Sequence, residues 1–223
     1  QLDLTDDGVL HGAVEFYERC IQNGIQPILG CTFEVAWKSD ASKKEMLVVY
    51  AKGAKGYESL LKLSTLYQQG LTWTSEMTEW IGSHSEDVKI VLPPMDSEWV
   101  AAHSKGRLEA VLGAVKEEYD GIEIAVGITR EMVERGEFDT MREGIEAAGV
   151  IPVSFSVSRY LNTTDYFPWK VLQAIRLGET LSFTQEDATG SESLPEATSM
   201  TKVFQAAVGG VLLSNLEQFT KDL

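Results

Sequence analysis

The stretch from Thr5 to Cys31 is the part of this sequence that most restricts its fold. Its first half spaces apolar residues as one face of a helix does, and Gly24 then provides a helix C-terminal signal. The residues of that face are Leu10, Ala13, Val14, Tyr17 and Ile21. Asp6 or Asp7 is expected to cap the helix, because a carboxylate accepts the free N–H groups of a first turn. A short apolar run follows Gly24, so the stretch predicts a strand–helix–strand step.

The rest of the sequence alternates between short apolar runs and helical patterns in the same way. Phe33–Ala51 predicts a β-hairpin. Three further apolar runs predict buried strands, at Val88–Leu92, Gly121–Val126 and Val150–Phe155. Such alternation is typical of a parallel sheet covered by helices. We therefore expect one α/β domain over residues 1–181, followed by an acidic loop and short helices in residues 182–223.

The charge balance disfavours one class of function. The sequence carries 34 acidic and 19 basic residues, a formal net charge of −15 at pH 7. Binding to a nucleic-acid backbone relies on clustered Lys and Arg, so direct binding of nucleic acid by this chain is not expected. No apolar run reaches the roughly 20 residues that a membrane-spanning helix needs. The two cysteines, Cys20 and Cys31, do not form a disulfide framework, and together these features predict a cytoplasmic protein with reduced thiols.

Four motifs, in this order along the chain, resemble those of one known family. They read Thr-Asp-Asp-Gly at 5–8, Gly-Ala-Val-Glu-Phe-Tyr at 12–17, Gly-Ile-Gln-Pro-Ile-Leu-Gly-Cys-Thr at 24–32 and Tyr-Leu-Asn at 160–162. They are similar to the TDHG, GAxEFY, GxxPIxGCE and YLN motifs of the PHP (polymerase and histidinol phosphatase) domain, which lies at the N-terminus of bacterial DNA polymerase III alpha subunits.

The resemblance implies a fold, a place in a longer chain and a set of partners. The implied fold is a distorted α/β barrel of PHP type. Family members have a strand with a His-x-His motif and a helix before the TDHG motif, so we expect Gln1 to be a cut or unobserved start and the first strand–helix unit to be lacking. The parent chain would be a DNA-directed DNA polymerase (a nucleotidyltransferase) whose palm follows Leu223. The implied partners are the remainder of that alpha subunit and other replication proteins.

The resemblance also indicates a site where family members hold several metal ions with His, Asp and Glu. Asp6 keeps a family ligand, whereas Asp7 stands in place of the TDHG histidine. Thr32 stands in place of a glutamate, and Val157 and Arg159 stand in place of an aspartate and a histidine. Valine offers no donor atom, and arginine is always a cation. We therefore expect a vestigial site that has no metal, no cofactor and no catalytic residue.

The fold implied by the resemblance also suggests where these positions lie. In barrels the C-terminal ends of the strands carry the chemistry. Asp6, Thr32 and the segment 156–159 are expected at such ends. Arg159 is then expected to form an ion pair with Asp6 or Asp7, in the space that a metal would fill.

Three functions remain open from the sequence. The preferred one is a degenerate, metal-free PHP domain that serves DNA replication as a structural and docking module of a DNA polymerase III alpha subunit. The second is an active metal-dependent PHP phosphoesterase or 3'-5' proofreading exonuclease, and the third is a stand-alone acidic interaction module. None of the three histidines, His11, His84 and His103, matches a recognised ligand position. The Asp6–Asp7 pair could serve acid–base chemistry, but capping with a leftover ligand is the preferred interpretation.

Overall fold

The computed structural model describes residues 1–36, 44–70, 75–95, 97–180, 193–195 and 197–223. Within them six strands form one sheet and lie in it in chain order. The strands are β1 (Leu2–Leu4), β2 (Pro27–Ala36), β3 (Lys44–Ala51), β4 (Val88–Leu92), β5 (Glu123–Ile128) and β6 (Ile151–Ser154). The sheet curls into a half-barrel with helices packed on it, which confirms the prediction of a partial α/β barrel.

The strands pair in a mixed rather than a parallel sheet. β1 and β2 are parallel, and so are β4, β5 and β6, whereas β3 runs antiparallel to both of its neighbours. The expectation of a parallel sheet is therefore wrong at β3, because the chain returns directly from β2 without a crossover helix. The hairpin predicted at Phe33–Ala51 is confirmed, and its turn residues 37–43 lie outside the described residues.

The described residues contain ten α-helices. They are α1 (Ala13–Gln22), α2 (Gly53–Gln68), α3 (Ser75–Ser83), α4 (Glu98–His103), α5 (Leu108–Glu118), α6 (Arg130–Glu134), α7 (Glu137–Ala147), α8 (Tyr166–Leu177), α9 (Ala197–Val208) and α10 (Val211–Phe219). A 3-10 turn at Thr163–Asp165 precedes α8. The predicted acidic loop falls mostly on residues 181–192, which lie outside the described ranges.

Alternate strand residues divide the sheet into two faces with separate cores, as the period-two geometry of a strand requires. The larger core packs residues such as Phe33 and Ile90 against helices that include α2, α4, α5 and α7. The smaller core lies on the opposite face, where α10 covers it with Phe219. Its strand residues come from β2 to β6: Ile28, Val48, Tyr50, Val91, Ala125 and Val153. The sheet is therefore covered on both faces.

A buried lysine holds α10 on the sheet. Lys89 of β4 is 2% exposed, and its Nζ donates to the carbonyl of Phe219 at 2.7 Å. The same Nζ pairs with Asp222 at 2.6 Å and with Glu123 at 2.9 Å. A cation suits the C-terminal end of a helix, where carbonyl groups lack partners within the helix. No motif or periodicity in the sequence indicates this role for Lys89.

The residues after α10 also contact the residues that immediately precede β1 and β2. The hydroxyl of Thr220 donates to Oε1 of Gln1 at 2.9 Å, and Nε2 of Gln26 donates to the carbonyl of Leu223 at 3.5 Å. Gln1 and Gln26 are themselves joined side chain to side chain at 3.1 Å. Residues 1 and 220 are therefore neighbours in space.

Helix α1 differs from its prediction at its start. It begins at Ala13 after Gly12, and no side chain caps it. The predicted cap by Asp6 or Asp7 is therefore wrong. The residues between β1 and α1 instead run along β2 and pass through turns before the helix begins.

The predicted apolar face of α1 is only partly buried. Ala13 and Cys20 are 0% and 4% exposed, whereas Val14, Tyr17 and Ile21 are 62%, 49% and 55% exposed. Small residues therefore make the contact with the sheet, and the larger ones face outward.

Candidate functional site

The segment after β1 runs beside the middle of β2 and brings three predicted site positions together. The N–H of Thr32 donates to the carbonyl of Asp6 at 3.0 Å, and the N–H of Gly8 donates to the carbonyl of Thr32 at 2.8 Å. These bonds form a parallel bridge between Asp7 and Thr32. Thr32 lies within β2, so the prediction that it ends a strand is wrong, because β2 continues past it into the hairpin with β3.

The side chain of Thr32 is engaged with the backbone. Thr32 is 9% exposed, and its Oγ1 donates to the carbonyl of Thr5 at 2.9 Å. A hydroxyl can donate in this way. The family resemblance places a glutamate here, and an ionised glutamate can accept hydrogen bonds but cannot donate one. Thr32 therefore fastens the site segment to β2 by side-chain and main-chain hydrogen bonds.

Helix α2 supports the turn at Gly8 from behind. Ser64 Oγ and Gln68 Nε2 both donate to the carbonyl of Gly8, at 2.8 and 3.1 Å. Gly8 has φ of +65°, and a Cβ on it would lie 2.5 Å from the ring of Tyr67. Both the positive φ and the lack of space require glycine there. The Asp-Asp-Gly turn is consequently fixed between β2 and α2.

The two aspartates of the turn stand at the surface above a buried thiol. Asp6 and Asp7 are exposed, and neither carboxylate forms a hydrogen bond or ion pair with any described residue. Cys31 is fully buried, and its Sγ donates to the carbonyl of Asp6 at 3.3 Å. Burial raises the pKa of the Cys31 thiol to about 12, and the charges of Asp6 and Asp7 act in the same direction. Because the thiolate is the metal-binding and nucleophilic form, Cys31 serves as a neutral thiol.

The late part of the predicted site does not join the aspartates. Val157 is half-buried and Arg159 is exposed, in the segment after β6. The guanidinium of Arg159 lies 5.9 Å from the centre of the Trp169 ring in α8. Among the described residues no ion pair links Arg159 to Asp6 or Asp7, so the hypothesised replacement of a metal by this ion pair is not supported.

The donor atoms present do not fit a cluster of several metal ions. In the described ranges no group of three or more His, Cys, Asp and Glu residues is arranged to hold a metal ion. Asp6 and Asp7 are adjacent carboxylates, and the Thr32 hydroxyl is used by the backbone. The ring of His84 stacks on Trp80, and the two ring centroids are 4.0 Å apart. His84 therefore packs on α3 and is not a partner of the two aspartates.

A buried acid that sequence reasoning missed lies elsewhere, on the larger core face of β3. Glu45 is 3% exposed, and among the described residues neither of its carboxylate oxygens has a hydrogen-bond partner. It lines a small cavity together with Val35, Ala36, Val115, Glu118 and Tyr119. Burial raises the pKa of Glu45 to about 8, and the charge of Glu98 raises it further. The sequence did carry a signal, since Glu45 shares the alternating face of Leu47 and Val49.

The fold and the motif positions define the class of protein. The sequence profile of the PHP domain family matches residues 1–142, so the chain belongs to the PHP domain family. This confirms the resemblance seen in the sequence. No helix in the described residues is long and apolar enough to cross a membrane.

Curated relatives specify the kind of PHP domain. The chain is 31% identical over 219 residues to the DNA polymerase III subunit alpha of Halalkalibacterium halodurans, covering 92% of the chain and 18% of that protein. It is 27% identical over 199 residues to the Bacillus subtilis subunit of the same name, covering 87% and 17%. A Chlamydia trachomatis subunit is 36% identical over 114 residues, covering 47% and 8%. The chain thus spans less than a fifth of the length of these relatives.

Proposed function

We propose that this chain is the PHP module of a cytoplasmic DNA polymerase III alpha subunit, that it holds no metal, and that it acts as a structural and docking module of that subunit. Its similarity to alpha subunits over most of its length supports the place in a polymerase. DNA polymerisation would belong to the part of the subunit outside these 223 residues. Partners would be the polymerase body and other replication proteins.

The hydrogen bonding of Thr32 is the observation that carries the metal-free assignment. Metal-assisted phosphoester hydrolysis needs donors that converge on bound ions, which then activate water and neutralise developing charge. At Thr32 the side chain turns to the Thr5 carbonyl and contributes no carboxylate. At Arg159 the donor of the family motif is replaced by a fixed positive charge, which repels a cation. Asp6 and Asp7 alone offer too few ligands for a multi-metal site.

Metal content of the full-length gene product tests this proposal. The protein would be incubated with zinc and manganese, desalted and measured by elemental mass spectrometry. We expect near-zero stoichiometry, and an unchanged result for an Asp6→Asn, Asp7→Asn variant. Two or three tightly held ions per chain, lost in that variant, would overturn the assignment and make a phosphoesterase or proofreading exonuclease the better explanation.

A variant with restored ligands provides the matched positive control. Asp7→His, Thr32→Glu, Val157→Asp and Arg159→His together return the family donors to their positions. Gain of bound metal in this variant, with none in the parent, would tie the loss to these positions. The comparison also separates a lost site from a failed loading procedure.

A further inference from the structure

Asn23 and Gly24 form a chemically reactive step at the C-terminal end of α1. An asparagine side chain can react with the backbone nitrogen that follows it, and a glycine at that position has no side chain to obstruct the approach. Asn23 is the one asparagine of the sequence that precedes a glycine, since threonine follows Asn162 and leucine follows Asn215. Both Asn23 and Gly24 are exposed, and a Cβ on Gly24 would meet no atom of the described residues within 4 Å. Water therefore has access to this step.

Hydrogen bonds engage both reacting groups in the folded chain. The side-chain nitrogen of Asn23 donates to the carbonyl of Arg19 at 2.8 Å, so the amide group is held against the helix. The backbone N–H of Gly24 donates to the carbonyl of Ile21 at 3.1 Å. The Gly24 nitrogen becomes a nucleophile only when it loses its proton, and this proton is engaged in that hydrogen bond. The closed turn therefore restrains the reaction.

A further main-chain hydrogen bond completes the turn. The N–H of Ile25 donates to the carbonyl of Cys20 at 2.9 Å. Together with a φ of +68° at Gly24, this bond forms the turn that commonly ends a helix at a glycine. We call residues 23–25 the α1–β2 turn. Helix ends open locally at a smaller free-energy cost than global unfolding, so this turn can open while the rest of the domain stays folded.

We propose that Asn23 is a deamidation site and that opening of the α1–β2 turn sets its rate. In the open turn the deprotonated Gly24 nitrogen forms a bond to Cγ of Asn23, and the bond from Cγ to Nδ2 breaks. The side-chain nitrogen leaves as ammonia, taking up the proton that the Gly24 nitrogen lost, and a succinimide ring remains. Water then opens the ring at either of its carbonyls and gives aspartate or isoaspartate. This proposal does not depend on the proposed function.

The product of this reaction alters the end of α1. A carboxylate at position 23 cannot donate to the Arg19 carbonyl as the amide does. It also places a negative charge at the C-terminal end of a helix, where carbonyl groups already carry a partial negative charge. The α1–β2 turn leads to Gln26, whose side chain contacts Gln1 and the carbonyl of Leu223. Deamidation is therefore expected to loosen the last turn of α1 and the contacts that Gln26 makes.

Peptide mapping of the full-length gene product tests the proposal. The protein would be incubated at mildly alkaline pH, and conversion of Asn23 to aspartate and isoaspartate would be followed by mass spectrometry, in the folded protein and in guanidinium. We expect deamidation in the folded protein to be slower than in guanidinium by the factor that protects the Gly24 N–H from hydrogen exchange, because both processes need the same opening. Asn162 and Asn215, which precede larger residues, should stay intact over the same period.

A variant that loosens the turn separates its opening from the chemical step. Ile21→Gly, at a 55% exposed position in the last turn of α1, weakens the helix and leaves the Asn23–Gly24 step in place. Deamidation of the folded variant should be about twofold to fivefold faster than in the parent, as the helix propensity of glycine implies. Its rate in guanidinium should not change. Glu143→Gly, at an exposed position of α7, is the matched control and should change neither rate.

Three outcomes would overturn the proposal. The first is an Asn23 that stays intact in the folded protein for longer than the exchange protection of Gly24 allows. The second is equal deamidation in the folded protein and in guanidinium, which would mean that the turn does not restrain the reaction. The third is a folded rate that Ile21→Gly leaves unchanged. Deamidation at the rate that exchange protection sets, accelerated by Ile21→Gly and not by Glu143→Gly, supports the proposal.

Discussion

Replacing Glu45 by Gln is expected to stabilise the protein at alkaline pH and to have little effect in acid. The pKa of Glu45 is raised from 4.5 to about 8, first by burial and then by the charge of Glu98. The nearby N–H groups of Glu98 and Met46 offset part of this increase. Within the described part of the chain, however, neither they nor any other group meets the geometry of a hydrogen bond to the carboxylate oxygens. The neutral acid is therefore the form that the folded protein favours.

The sign and size of the effect follow from proton linkage. Between pH 4.5 and about 8 the folded state retains a proton that the unfolded state has lost, so stability falls as the pH rises across that window. At about 1.4 kcal/mol per pH unit, the upper limit of the loss is about 5 kcal/mol, and water entry on ionisation reduces it to about 2–4 kcal/mol. Gln cannot ionise, so Glu45→Gln escapes the loss.

Urea denaturation at pH 5, 7 and 8.5 measures this difference. The free energy of unfolding of Glu45→Gln should exceed that of the parent by a margin that grows steadily with pH. Glu143→Gln, at an exposed position of α7, should show no such trend. A difference between Glu45→Gln and the parent that stays constant over this pH range would refute the reasoning, because it would mean that Glu45 ionises alike in both states.

Four further predictions concern the buried lysine, two glycines and the buried thiol. Lys89→Met should lower the free energy of unfolding by about 1–3 kcal/mol and increase hydrogen exchange in α10, because a helix-end carbonyl loses its donor; Lys105→Met, at the surface, should change neither. Gly56→Ala should destabilise by about 1–3 kcal/mol in urea denaturation, since its Cβ would lie 2.3 Å from a backbone carbonyl oxygen. Gly113→Ala, with open space around it inside α5, should instead stabilise by about 0.5–1 kcal/mol, and a loss would contradict this. Cys31 should resist maleimide at pH 8 in the folded protein and react only in denaturant, because its pKa is about 12; rapid reaction when folded would contradict this.

Local pattern was enough to predict much of the fold. The alternation in Phe33–Ala51 predicted the hairpin, and the motifs predicted the family that the comparison confirmed. Asp7 and Thr32 form a bridge because the segment after β1 runs beside β2 within one strand–helix–strand step. The antiparallel pairing of β3 with β4 was missed, since a short apolar run reads alike in parallel and antiparallel sheets.

The features that the sequence could not predict depend on distant partners. In the sequence Lys89 resembles any other strand lysine. Its role depends on the end of α10, where Phe219, 130 positions away, accepts its hydrogen bond. The burial of Glu45 could not be predicted without knowing that Val115 and Tyr119 lie against its side of β3. An apolar stripe on a helix predicts a contact but not the partner, so the outward face of α1 also needed the structure.

The contact between Thr220 and Gln1 affects when the module can be completed during synthesis. Its two partners lie 219 positions apart, so Gln1, the residue before β1, cannot acquire this contact until almost the whole segment has left the ribosome. Contacts of such high sequence separation form late, because loop closure must precede them. Until then the small-core face of the sheet lacks Phe219 and is open to water. A nascent chain that pauses before residue 219 would therefore expose that face, and chaperones that bind apolar surface would have most access to it at that stage.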